Sequence, residues 1–188
     1  WDSVMHYDAF MEPLTWFLTG MEKHSDGSKP ELKGDVDYFW NAMHYHNASF
    51  SNPSLQVAMN ELSNHDHSRF LTRTNGRAGR VETDGSAAAA EGIDIAVLRE
   101  AVLLQMTWLG APTVYYGEEA GVVGWTDPDN RRTYPWGKED HELIDFHKKA
   151  IRLRKENPVL RYGSLHHLYG EYGVIAYGRF DRENKMVI

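Results

Sequence analysis

The 188-residue chain predicts an α/β fold with a parallel sheet, followed by an antiparallel all-β element. Three observations carry this. Strand-like and helix-like periods alternate through residues 1–158, and such alternation calls for parallel strands with covering helices. "APTVYYGEE" (111–119) is a short, unbroken apolar run, as expected of a strand buried on both faces. From residue 159 onward only short strand-like runs remain, separated by turn residues.

The elements follow in order. "WDSVMHY" places Val4 and His6 on one face and Ser3, Met5 and Tyr7 on the other, which suits a strand. Asp8 is placed to cap a helix carrying Phe10, Leu14, Phe17, Leu18 and Met21, with Pro13 restricting its start. Residues 20–35 are rich in Gly, Ser, Pro and charge, hence a loop. Val36, Phe39, Trp40 and Met43 resume a helical period, which "SFSNP" (49–53) breaks. "LQVAMNEL" (55–62) reads as the second strand. Residues 74–92 read as an irregular segment in which "SAAAAEG" could add a helical turn.

Residues 93–110 form a strongly apolar helix ended by Gly110, and the third strand follows at once. Residues 120–140 are a long loop with Pro, Gly and Trp. The helix of 141–158 has Leu143, Phe146, Ala150, Ile151 and Leu153 as its apolar stripe and basic residues near its end. Pro158 stops it. "LHHLYG", "GVIAYGRFD" and "KMVI" are the closing strands. Three βα units cannot close a (β/α)8 barrel, which takes about 250 residues, but they suit the last three units of one.

Composition excludes several classes. A net charge of −7 and a pI near 5.8 offer no basic face for nucleic acid or an anionic membrane. The absence of cysteine removes disulfides, thiolate metal sites and a Cys nucleophile, and suits either side of a membrane. No apolar run approaches the roughly 20 residues that span a bilayer. The chain opens and closes inside strand-like runs, so it reads as a piece of a longer protein.

The densest polar cluster is "ELSNHDHSRF" (61–70), at the end of the second strand candidate. Three chemistries fit it locally. His65 and His67 form H-x-H, which on one strand face can chelate zinc, and His44 and His46 form another. Ser63 or Ser68 with His65 and Asp66 has the composition of a hydrolytic triad, although no G-x-S-x-G elbow is present. A sugar site would combine carboxylates, His and Arg with aromatic rings. Asp66 ends one strand; Tyr115, Tyr116, Glu118 and Glu119 end the next. The following loop adds Trp125, Asp127, Asp129, Arg131, Arg132, Tyr134 and Trp136.

These segments resemble the alpha-amylase family, glycoside hydrolase family thirteen. "LSNHDHSRF" is similar to that family's fourth signature segment, "GAPTVYYGEEAG" to its eighth barrel strand and turn, and "WDSVMHYDAF" to its sixth strand. "DPDNRRTYPWG" resembles a loop of the neopullulanase, cyclomaltodextrinase and amylopullulanase branch. The resemblance implies that 1–158 are strands six to eight of a (β/α)8 barrel and that 159–188 begin a β-sandwich domain. It implies a retaining hydrolase of α-glucosidic bonds in starch, maltodextrin or pullulan oligosaccharides. A glucosyl-transferring or isomerising relative and a non-catalytic sugar-binding module are the alternatives.

Asp66 would hold two hydroxyls of the sugar at the cleavage subsite, and His65 would donate to one of them. Asp127 and Arg131 would contact the next sugar, with Asn64, His67 and Arg69 nearby. The Glu118–Glu119 pair would brace the loop after strand eight. The nucleophile and acid/base belong to strands four and five, so the chain alone would be inactive. It would need the rest of the barrel or self-associate. The reaction implies no cofactor; calcium occurs in the family, with ligands mostly upstream.

Overall fold

The computed structural model describes residues 3–188, so the first two residues of the expected opening strand lie outside them. A π-helical turn, Tyr7–Met11, runs into α1 (Glu12–Thr19). Asp8 lies inside that turn rather than capping α1. Pro13 sits in the first turn of α1, where a missing N–H costs no bond, and Gly20 ends it at φ +68°. Asp35 accepts from Tyr38 N (2.9 Å) and opens α2 (Val36–Asn47).

The expected strand over 55–62 is largely replaced. Residues Asn52–Val57 form α3 and only Met59–Glu61 form a strand, β1. The cause is local: extended Ser51 followed by Pro53 is a helix start, and Leu55 is the residue that the helix buries. Next come α4 (Phe70–Arg73), α5 (Val81–Asp84) and a 3-10 turn at Ser86–Ala90, so the irregular segment does contain helical turns. Asp94 caps α6 (Ile95–Thr107) by accepting from Ala96 N.

Strand β2 is only Ala111–Thr113, and its residues are half-buried rather than covered on both faces. Among the described residues it pairs with β1 alone, so its outer edge has no neighbour. Asp140 caps α7 (His141–Glu156), after which Pro158 starts α8 (Pro158–Tyr162). The chain then forms β3 (Ser164–Glu171), β4 (Val174–Phe180) and β5 (Lys185–Val187), an antiparallel sheet in sequence order.

The parallel layer is small. β1 and β2 pair in register from Met59↔Ala111 to Glu61↔Thr113. On the other edge of β1, Met5 makes a parallel bridge to Met59, with Met59 N donating to Val4 O and His6 N to Met59 O. The order across the layer is therefore residues 4–6, β1, β2. Gln105 of α6 ties it from behind, donating to the carbonyls of Asn60 (2.9 Å) and Thr113 (3.1 Å).

One apolar core joins the faces of α1, α2, α6 and α7, including Phe10, Leu14, Phe39, Trp40, Leu98, Val102 and Leu143. On α7 the stripe shifts: Leu153 is exposed, and His147 is buried against Leu143 O instead. The antiparallel sheet shares this core. Tyr177 packs edge-on to Trp108 with ring centroids 4.8 Å apart, and buried Arg179 donates to Leu160 O and Gly163 O. A second, smaller cluster gathers Ala88 and Ala89 around Trp125.

Candidate functional site

The site is built on the loop that leaves β1. Between Glu61 and α4 the chain bends sharply, and one side chain shapes the bend. Asn64 is buried; its Oδ1 accepts from Asp66 N (2.9 Å) and His67 N (3.2 Å). Such an Asx turn uses the short amide in place of a backbone acceptor. Its Nδ2 donates to Tyr7 OH (2.8 Å) and Glu61 Oε2 (2.9 Å), so the segment before α1 also fixes the loop. The bend leaves His65 and Asp66 outside, more than half exposed, with His65 Nε2 3.4 Å from Asp66 Oδ1.

A second loop, 124–132, is fastened to the first. Arg69 N donates to Gly124 O (2.9 Å) and Thr126 Oγ1 to Asp66 O (2.6 Å). Asn130 Nδ2 donates to the carbonyls of Asn64 (3.1 Å) and His67 (2.7 Å). Arg131 Nε lies 2.9 Å from Asp127 Oδ1 and donates to His65 O at 3.3 Å. Thus the structure brings His65, Asp66, Asp127 and Arg131 onto one accessible rim.

The other three residues expected there lie inside. Besides Asn64, His67 is buried between the ring edges of Tyr7 (4.9 Å) and His24 (4.7 Å). Burial, helped by the neighbouring Arg73, His24 and Lys23, pulls its imidazole down to about 3, so it is neutral at ordinary pH. Arg69 has no exposed surface. Its Nε donates to Asn130 O and its Nη1 to Tyr116 O, while the guanidinium lies 4.0 Å from the Tyr115 ring centroid. These side chains hold the rim from behind.

Glu118 lies in the turn after β2 and ties it to the neighbouring loop. It braces the loop after β1, by accepting from Ser63 Oγ, while Glu119 is half-buried beside it. Burial pushes the Glu118 carboxyl up to about 7, against the pull of Ser63, Arg69 and Arg73. Arg73 is likewise fully buried and donates to Thr15 Oγ1 and Leu62 O. The organisers Tyr7, Ser63, Thr126 and Asn130 were not singled out as binding residues in the sequence. Only the polar spacing around Asn64 could have hinted at them.

The competing chemistries lose their geometry. His65 and His67 do not lie on a strand, since β1 ends at Glu61; one is exposed and the other buried. His44 and His46 lie on α2, two positions apart. Among the described residues neither candidate serine is hydrogen-bonded to a histidine: Ser63 bonds Glu118, and Ser68 bonds Lys23 O and Ser25. Among the described residues one trio, Glu22, His24 and Asp26, brings possible metal donors together. It does not fit calcium, which takes six to eight oxygens. Glu22 is committed to His24, and Asp26 to Arg80.

No family model matches the chain. An amylopullulanase of Thermoanaerobacter thermohydrosulfuricus is 42% identical over 127 residues, 68% of this chain and 8% of that protein. A cyclomaltodextrinase of Thermoanaerobacter pseudethanolicus is 34% identical over 135 residues, 71% of this chain and 21% of that protein. The crystal structure of a debranching enzyme from Nostoc punctiforme superimposes with a TM-score of 0.81 at 26% identity, covering 100% of this chain and 36% of that one. The chain therefore spans a minor part of the length of the proteins it matches. Neighbours of this kind are TIM-barrel glycoside hydrolases. The chain belongs to the alpha-amylase family, glycoside hydrolase family thirteen, in the branch of the amylopullulanases, cyclomaltodextrinases and neopullulanases.

Proposed function

We propose that this chain supplies one wall of the α-glucan site of a retaining glycoside hydrolase acting on starch, maltodextrin or pullulan oligosaccharides. In this reading residues 4–6, β1 and β2 are barrel strands six, seven and eight, residues 1–158 belong to the barrel, and 159–188 begin the all-β domain. The observation that supports it best is the convergence of Asp66, His65, Asp127 and Arg131 on one rim, all accessible and each tied to a neighbour.

The chemistry follows from that rim. The Asp66 carboxylate accepts from two adjacent sugar hydroxyls, and His65 donates to one of them. As the ring flattens toward an oxocarbenium ion, these hydroxyls become better donors and the bonds tighten, so they favour the transition state over the ground state. Asp127 and Arg131 hold the next sugar and keep the reacting ring in register. No residue here matches the family's nucleophile or acid/base, so the chain alone binds and does not cleave. The reaction uses no cofactor.

Calorimetric titration with maltotriose tests this. The wild-type chain is expected to bind weakly, with Asp66→Ala and Arg131→Ala each losing about 10-fold or more, the cost of one or two bonds to a charged group. Reducing-sugar assays on maltotriose and pullulan are expected to show no turnover. Wild-type affinity in Asp66→Ala, or hydrolysis by the purified chain, would overturn it.

A further inference from the structure

We propose that Glu118 is a positioning residue for Asp66 and His65, acting through Ser63 to hold the loop from 63 to 70 closed. This rests on the glucan reading of the rim for its functional meaning, but its structural basis is separate. The Ser63 hydroxyl does two things at once: it donates to Glu118 Oε1 and accepts from Phe70 N at 2.8 Å. The two ends of the loop that carries His65 and Asp66 are therefore joined through one oxygen, and Glu118 fixes that oxygen's orientation. A hydroxyl has one proton; committing it to the carboxyl turns a lone pair toward the Phe70 amide.

The second carboxyl oxygen, Oε2, is buried without a hydrogen-bond partner among the described residues, so charge rather than bonding surrounds it. Glu118 is buried at the turn following β2, and the charged groups facing it are the guanidiniums of Arg69 and Arg73 and the carboxylate of Glu119. Arg73 is anchored to Leu62 O, directly before Ser63, and to Thr15 of α1. Arg69 is anchored to Asn130 O and Tyr116 O. The anchors are Thr15 in α1, Leu62 just after β1, Tyr116 in the turn after β2 and Asn130 in the second loop, so the surroundings of the carboxyl are fixed from four places. None of these groups reaches the rim. The effect is carried through Ser63 and the Asn64 turn to the amides of Asp66 and His67.

Amide hydrogen exchange on the full 188-residue chain, read beside maltotriose affinity, tests this. In Glu118→Ala and in Ser63→Ala, the Asp66 and His67 amides are expected to exchange at least about 10-fold faster while α6 amides are unchanged, and affinity to fall by a similar factor. Glu118→Gln keeps an oxygen that accepts from Ser63 and is expected to restore wild-type protection and affinity. Wild-type protection in both Ala variants overturns the proposal, as does failure of Gln to restore it. If Glu118→Ala does not fold, Ser63→Ala alone decides, because it leaves the buried charges in place. Absence of maltotriose binding by the wild type counts against the glucan reading, and the exchange rates still decide the relay.

Discussion

At the scale of single residues, the rim depends on side chains that never touch its surface. His67 shows how. Its imidazole is buried among Tyr7, His24 and Arg73, and its folded value of about 3 lies well below the free value of 6.5. The folded state thus refuses a proton that the unfolded chain accepts. The contribution of this group is complete above pH 6.5 and is lost as the pH falls toward 3, with a slope of up to about 1.4 kcal/mol per pH unit. Urea unfolding at pH 7, 5 and 4 measures it. His67→Phe keeps a ring between its two neighbours and cannot take up a proton, so its stability is expected to decline less over that window. Parallel declines for both proteins would assign the acid sensitivity to other groups.

At the scale of elements, the connection from α6 into β2 is a joint with no room for a side chain. Gly110 has φ +126°, and a Cβ there would sit 2.6 Å from Asn60 Nδ2 and 2.8 Å from Ala58 O. Both the conformation and the space reject a side chain. The Asn60 amide cannot yield, because it donates to Leu109 O and accepts from His6. Gly110→Ala is expected to cost about 2 kcal/mol or more, from backbone strain plus overpacking at the strand pair, read as a lower urea midpoint. The same joint shows what the sequence made legible. Periodicity located α1, α2, α6 and α7, because each has an apolar face set by local spacing; the structure adds Asp35, Asp94 and Asp140 as caps of the last three. The strands were legible only as places. β1 and β2 are three residues each, and the apolar runs around them are shared with α3 and with turns, which periodicity cannot separate. The exposed half of the rim, His65, Asp66, Asp127 and Arg131, followed from family resemblance. The inward turn of Asn64, His67 and Arg69 did not. It arises from contacts to Tyr7, Tyr116 and Asn130, 47 to 66 positions away.

At the scale of the whole molecule, the parallel layer is left open at one edge. Among the described residues β2 has one partner, and Met5, Val57, Val114 and Tyr116 leave 46%, 43%, 37% and 42% of their surface exposed. All four lie in or beside the segments of that layer. An uncovered edge offers backbone groups to any second strand, and exposed apolar side chains nearby add a driving force. The chain is therefore expected to associate with itself as concentration rises into the tens of micromolar, roughly the range reached by weak interfaces of modest area. Sedimentation velocity over a concentration series measures this. Placing lysine at Val57 and Val114 charges the surface beside the layer without touching the rim bonds, and is expected to shift the distribution toward monomer. A wild-type chain that stays monomeric throughout, with the lysine variants unchanged, would show that the open layer is self-sufficient in water. Association that blocks maltotriose binding would place the contact over the rim itself, because β2 leads directly into the Tyr115–Tyr116 turn that packs on Arg69.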